Sequence, residues 1–244
     1  MPPSGPRSID PLTALNRRIV ACQACPRLLA HCQAVARERR RAYATQEYWG
    51  RPVPSFGDPG ARLLIVGLAP GAHGANRTGR VFTGDSSGDW LFEALHRAGF
   101  ANQPTSLSRE DGLELAGAWI TAINHCAPPD NKPTPEEQAA CRPFLVEEIG
   151  RLTRVRVVLS LGRIAWDGWF RAMVDCGHPT PTPRPAFGHG VEYTPFGPEG
   201  PTLLGSYHPS RQNTNTGRLT RVMWQAVFAR ARDLVDRPDD PTGG

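Results

Sequence analysis

Lysine is almost missing from this chain: Lys132 stands alone among 244 residues, and arginine carries nearly all the positive charge. A compositional habit of the genome accounts for that, yet one chemical exclusion follows either way. Imine-forming catalysis needs a reactive amine, and only Lys132 and the amino terminus can supply one. Long apolar runs are missing too. The first, Leu12 to Val20, is interrupted by Asn16, Arg17 and Arg18, well short of the roughly 20 apolar residues that a membrane helix needs. There is no internal repeat, no Walker loop and no Gly-x-Gly-x-x-Gly dinucleotide turn. His-x-Glu, which a zinc deaminase combines with Pro-Cys-x-x-Cys, does not occur either, and proline follows Cys25 instead of preceding Cys22. These absences predict a cytosolic or nucleoid protein with no membrane partner, and a monomer by default.

What is present suits a folded domain. Hydrophobic residues make up 39% and charged residues 21% of the chain, as in soluble globular proteins. The formal charge of +5 fits a polyanionic partner, although solubility alone explains such a value. Residues 12–236 are expected to form one domain. Met1–Pro11 and Arg237–Gly244, rich in Pro, Ser, Gly and Asp, are expected to fray.

From Arg62 onward strands and helices alternate, which predicts a three-layer α/β/α fold around a central, mostly parallel four-stranded sheet. Leu63–Val66 is short, wholly apolar and followed by glycine, as a buried parallel strand is. The other strands are read at Trp119–Ile123, Val155–Leu161 and Thr202–Tyr207. Helices are read over Asp85–Ala98, from Thr134 with a capping box to Glu137, over Arg163–Met173, and over Gly217–Val235. Pro143 should kink or restart the second of these. Leu12–Arg41 reads as helical, broken at Pro26, with a basic run Arg37-Glu38-Arg39-Arg40-Arg41 near its end. That run can contact phosphates, but a solvated helix face is the plainer reading. Cys176–Pro201, rich in proline and glycine, reads as a surface excursion.

Cys22-Gln23-Ala24-Cys25 supplies one close cysteine pair, and Cys126 and Cys141 supply two more thiols. Four are enough for a closed metal site, and spacing does not separate tetrahedral zinc from a four-iron four-sulfur cluster. Buried cysteines that only pack are the bland alternative. Cys32 and Cys176 have no close partner and read as structural.

Two loops leave the carboxyl edge of the sheet, where open α/β sheets place their ligands. Gly67-Leu68-Ala69-Pro70-Gly71-Ala72-His73-Gly74 runs on into Asn76-Arg77-Thr78-Gly79-Arg80-Val81-Phe82-Thr83-Gly84-Asp85. An aromatic ring among polar and basic groups suits a stacked base beside a phosphate; Phe82 as a loop anchor and Asp85 as a helix cap are the structural alternatives. After the last strand comes Ser206-Tyr207-His208-Pro209-Ser210-Arg211-Gln212-Asn213-Thr214, which puts a histidine on the same edge.

Together with the four cysteines, these two stretches resemble the family five, or B-type, uracil-DNA glycosylases of bacteria and archaea, over roughly Cys22 to Val235. The resemblance implies a four-iron four-sulfur cluster on Cys22, Cys25, Cys126 and Cys141, structural because hydrolysis needs no electrons. It also implies a partner, double-stranded DNA carrying uracil or another damaged base such as hypoxanthine, xanthine or ethenocytosine. Related glycosylases carry aspartate or asparagine where this chain has Ala69. Asn76, His73 and Asp85, in that order, are therefore the candidates for handling water. In family four enzymes an asparagine four residues before the third cysteine reads uracil; Ala122 stands there, and Asn124, on the same face by strand alternation, is the expected reader.

The implied mechanism extrudes the base from the duplex. Phe82 stacks on it, and His208 donates to a base oxygen as negative charge develops. Backbone groups between Pro70 and Gly74, with Ala69 and Gly71 in the pocket wall, serve a second oxygen or water. Arg211 or Gln212 fills the gap left in the DNA. Without a lysine near these loops the enzyme should be monofunctional. Two other readings compete: an iron-sulfur module that binds damaged or single-stranded DNA without turnover, and a redox protein.

Overall fold

The computed structural model describes residues 10–197 and 200–238. Of the two ends expected to fray, residues 1–9 and 239–244 lie outside the described residues. Asp10 and Pro11 do not belong with a frayed end: Asp10 caps the first helix by accepting from Thr13 N at 2.8 Å, and Pro11 is its first residue.

In chain order the elements are α1 (Pro11–Val20), α2 (Pro26–Glu38), β1 (Phe56–Gly57), β2 (Leu63–Gly67), α3 (Ala75–Thr78), α4 (Ser86–Arg97), β3 (Ala118–Ala122), α5 (Pro135–Arg151), β4 (Val157–Leu161), α6 (Arg163–Asp175), β5 (Glu192–Tyr193), β6 (Thr202–Ser206), α7 (Arg211–Asn215) and α8 (Arg221–Asp236). Strand order is β1-β3-β2-β4-β6-β5. The inner four are parallel, and the two edge strands are antiparallel to their neighbours. The expected four-stranded sheet therefore gains two edges, each too short to leave a pattern in the sequence.

Alternation along the buried strands sorts the core into two layers. Leu63, Ile65, Ile120, Val157, Leu159 and Leu204 face α4 and α8, where Phe92, Leu95, Trp224 and Phe228 meet them. Leu64, Val66, Trp119, Val158 and Leu203 face α1, α5 and α6. Burying one large apolar side chain contributes roughly 1.5–3 kcal/mol, so both layers hold the sheet firmly and leave its carboxyl edge to the loops.

Four local expectations change. Pro26 starts α2 at its first residue instead of merely breaking a helix, so Cys22 and Cys25 sit on the α1–α2 turn. Pro143 does not restart α5, which runs on from Thr134's capping box to Arg151. Both Pro143 and Ala139, whose carbonyl it leaves unpaired, are exposed to water. The Cys176–Pro201 excursion folds back on the core: Phe187, Tyr193 and Phe196 pack on Trp166 and Trp169 with ring centroids 5.6–5.9 Å apart, and it supplies β5. The expected last helix begins later, at Arg221 capped by Thr220. The polar run before it forms the single turn α7.

Candidate active site at the carboxyl edge of the sheet

The glycine loop leaves β2 and is held from beneath by two buried arginines. Arg77 donates to His73 O at 2.8 Å, Gln46 Oε1 at 2.5 Å and Gly84 O at 2.7 Å. Arg80 donates to Thr83 Oγ1, to Ser106 Oγ and to Asp111 Oδ2, the last at 2.7 Å. Asp111 also accepts from three backbone N–H groups. Although its burial opposes ionisation, these bonds hold its carboxyl down to about 2. The two arginines read as phosphate neighbours are thus internal staples.

Asp85 does cap α4, through Oδ1 accepting from Ser87 N at 3.0 Å and Gly88 N at 3.1 Å. Its other oxygen stands over the loop. A Cβ at Gly71 would lie 2.8 Å from Asp85 Oδ2, and one at Gly74 would collide with the carboxylate. Glycine is required at both positions to admit that group. Burial raises the Asp85 pKa above the usual carboxylate range, only partly offset by the cap bonds. Between the two glycines, the N–H groups of Gly71, Ala72 and His73 bond no described residue. Ala69 and Gly71 are half-buried in the same wall.

Phe82 has a left-handed backbone, φ 51°, a costly conformation for an aromatic residue. It turns the ring onto the end of β2, where a Cβ at Gly67 would come within 2.9 Å of it. The His208 ring lies 5.8 Å away, tilted by 31°. His208 follows β6 and is held by Asn213 Nδ2 on its carbonyl at 2.8 Å. Desolvation pushes its pKa down to about 4, so the imidazole is neutral at pH 7. Its ring nitrogens bond no described residue. Arg211 and Gln212, on α7, are exposed at the rim.

The other water candidates are engaged. Asn76 is fully buried and donates to Cys32 O at 3.2 Å, while its Oδ1 has no described partner. His73 Nδ1 shares a hydrogen bond of 3.1 Å with Tyr48 Oη. Burial, then Arg40, Arg77 and His31, lower its pKa.

Asn124 lies past the regular strand. The strand ends at Ala122, alternation fails beyond it, and Asn124 Nδ2 donates to Glu137 O of α5 at 3.0 Å. It lines a shallow cleft whose walls carry Cys22, Cys25, Cys126 and Cys141. Asn124 Oδ1 is buried and has no described partner. Among the described residues no three potential ligands converge on a single ion. Cys32 and Cys176 are free thiols; Cys32 is buried and accepts from Ala127 N at 3.2 Å.

Residues 54–232 match the family model of the uracil DNA glycosylase superfamily. The chain is 51% identical over 222 residues to the type-5 uracil-DNA glycosylase of Mycobacterium tuberculosis, covering 91% of this chain and 81% of that one. It is 50% identical over 224 residues to the type-5 enzyme of Thermus thermophilus, covering 91% and 97%. It is 46% identical over 214 residues to that of Pyrobaculum aerophilum, covering 88% and 89%. The chain belongs to the type-5 uracil-DNA glycosylases.

Against that family background, two features escaped sequence reading, the first of them in the site. His189, in the proline-rich excursion, accepts Tyr207 N–H at Nδ1 (3.3 Å) and donates from Nε2 to Met223 O (3.3 Å), so it fixes the backbone that presents His208. No local pattern marks it, because its partners lie 18 and 34 residues away. Asp130 and Asn131, after the end of β3, are consecutive left-handed residues with φ 53° and 57°. The pair Asp-Asn between prolines was a visible turn signal. No described helix is long and apolar enough to cross a membrane.

Proposed function

We propose that this protein releases uracil, and other deaminated or etheno-modified bases, from double-stranded DNA by hydrolysis of the N-glycosidic bond, starting base excision repair. Family membership supports the reaction. The observation that carries the residue assignment is the ring pair of Phe82 and a neutral His208, centroids 5.8 Å apart, on the sheet edge where the Asp85 carboxylate stands over the glycine loop.

The extruded base stacks on Phe82. As the glycosidic bond stretches, negative charge gathers on the base, and the neutral His208 N–H donates to a base oxygen. A neutral donor loses no proton to solvent beforehand and suits a developing oxyanion. The unpartnered N–H groups from Gly71 to His73 supply further donors of the same kind. Asp85 Oδ2, desolvated and therefore more basic, holds the attacking water. This reverses the order read from the sequence, because Asn76 spends its amide on Cys32 and His73 is tied to Tyr48. Arg211 or Gln212 enters the stack where the base has left. No lysine lies on these loops, which supports a monofunctional reaction that leaves an abasic site.

The four cysteines fit a four-iron four-sulfur cluster better than zinc, since they border a cleft and do not close on one ion. Cys22, Cys25, Cys126 and Cys141 would hold it, tying the α1–α2 turn, the end of β3 and α5 together; when bound it supplies structural cross-linking. Purified protein should carry about four irons per chain, and a C126S variant should lose both iron and thermal stability.

The test of the active site is His208→Ala, with binding read on a duplex containing an abasic-site analogue. Base release at saturating enzyme should fall by about 10²–10³ while binding persists. A DNA-binding module without turnover would instead show no release from the wild type and a binding loss in the variant.

A further inference from the structure

We propose that the basic turn closing α2 grips the phosphodiester backbone beside the base pocket, through Arg40 and Arg41 with Arg37 and Arg51 alongside. The proposal rests on the reading of the chain as a DNA-acting protein and adds the surface that seats the duplex.

The turn is built and placed. Arg39, with φ 51°, reverses the chain after Glu38, and its guanidinium closes the turn on Ala44 O at 2.9 Å. Arg40 N–H donates to Tyr48 Oη at 3.3 Å, and Tyr48 Oη meets His73 Nδ1 of the glycine loop at 3.1 Å. Arg77, the staple of that loop, lies 4.0 Å over the Tyr43 ring. The run is therefore tied to the glycine loop that borders the pocket.

Its charge is also uncommitted. Several arginines elsewhere are neutralised, as Arg18 by Glu147 and Arg184 by Asp167, and exposed ones without an acidic partner, such as Arg17, Arg97 and Arg154, lie apart from the pocket-bordering turn. Arg37, Arg40 and Arg41 are exposed and their side chains bond no described residue. Arg51 stacks 3.8 Å above Trp49 without a carboxylate partner. A solvated helix face would not need tethering to the catalytic loop. An arginine fork left open at a pocket rim matches a phosphate.

The test measures affinity for a duplex carrying an abasic-site analogue across a range of salt concentrations. Each neutralised phosphate contributes about 0.9 to the slope of log affinity against log salt. R40Q/R41Q should lower that slope by about 2 and weaken low-salt binding at least about tenfold. R40K/R41K, which keeps the charge, should restore most of the slope. R97Q/R154Q removes two exposed charges at the opposite, amino edge and should change the slope by less than about 0.5. A wild-type slope in R40Q/R41Q, or an equal drop in R97Q/R154Q, would overturn the proposal. Because binding is read without turnover, predicted slopes in a protein that frees no uracil would keep the basic turn and sink the glycosylase reading. Uracil release with unchanged slopes would do the reverse.

Discussion

The two loops that meet over the sheet edge are built in opposite ways. The stretch from Gly71 to Asp85 is bound to the rest of the molecule at nearly every turn: Arg77 reaches Gln46, Arg80 reaches Ser106 and Asp111, Asn76 reaches Cys32. The stretch from His208 to Thr216 bonds mostly within itself, through Asn213 to His208 O and Thr214 to Ser210 O, with Ser87 on Pro209 O as one outside tie. One loop is a preformed mould and the other an enclosed His208 followed by a single exposed turn. The difference assigns the work: the groups that meet the flipped base, His208 included, are fixed before DNA arrives, while Arg211 and Gln212, which meet the duplex, are left to adapt.

Substitutions can break or sharpen that contrast. The largest effect should come from Asp85→Asn in the fixed loop. Asparagine keeps the helix cap but removes the carboxylate, so base release should fall about a thousandfold with the melting temperature nearly unchanged. A parallel loss of stability would mean that Asp85 serves only as a cap. Next, Arg80→Met leaves Asp111 partly buried without its cation and should cost about 3 kcal/mol of stability in urea unfolding. If it cost nothing, the loop would not be preformed by that pair. On the adaptable side, Arg211→Ala with Gln212→Ala should leave stability within about 0.5 kcal/mol, yet weaken binding to abasic duplex about tenfold.

A last effect is in pH dependence. His208 has a folded pKa of about 4, below the usual imidazole value of about 6.5. Stability linked to it is therefore present above pH 6.5 and lost as pH falls towards 4, because the unfolded chain takes up the proton first. His125, buried and also at about 4, acts in the same direction. Between pH 7 and 4.5, His208→Asn should lose less unfolding free energy than the wild type. Equal losses would mean that His208 is not enclosed.

How much of this could be read beforehand follows from the range of the interactions. The four inner strands were legible because each is a short apolar run buried on both faces. The edge strands were not, since two residues carry no period. The motif loops were placed on the correct edge by chain order alone. The roles of Arg77 and Arg80 depend on Gln46, Ser106 and Asp111, 26–31 residues away, and no spacing rule reaches that far. Asn124 lies two residues beyond the end of β3, where strand alternation no longer fixes which way a side chain points. Asp85 was both cap and candidate, and only the glycines beneath its second oxygen separate the two uses.

The account stands most directly on one incubation: an end-labelled duplex with a single uracil opposite guanine, exposed to the purified protein and analysed with and without alkali. Cleavage at the uracil only after alkali, with free uracil in solution, is the predicted result. A strand nicked before alkali would contradict the monofunctional mechanism, and an intact strand after alkali, with the duplex still bound, would contradict base release altogether.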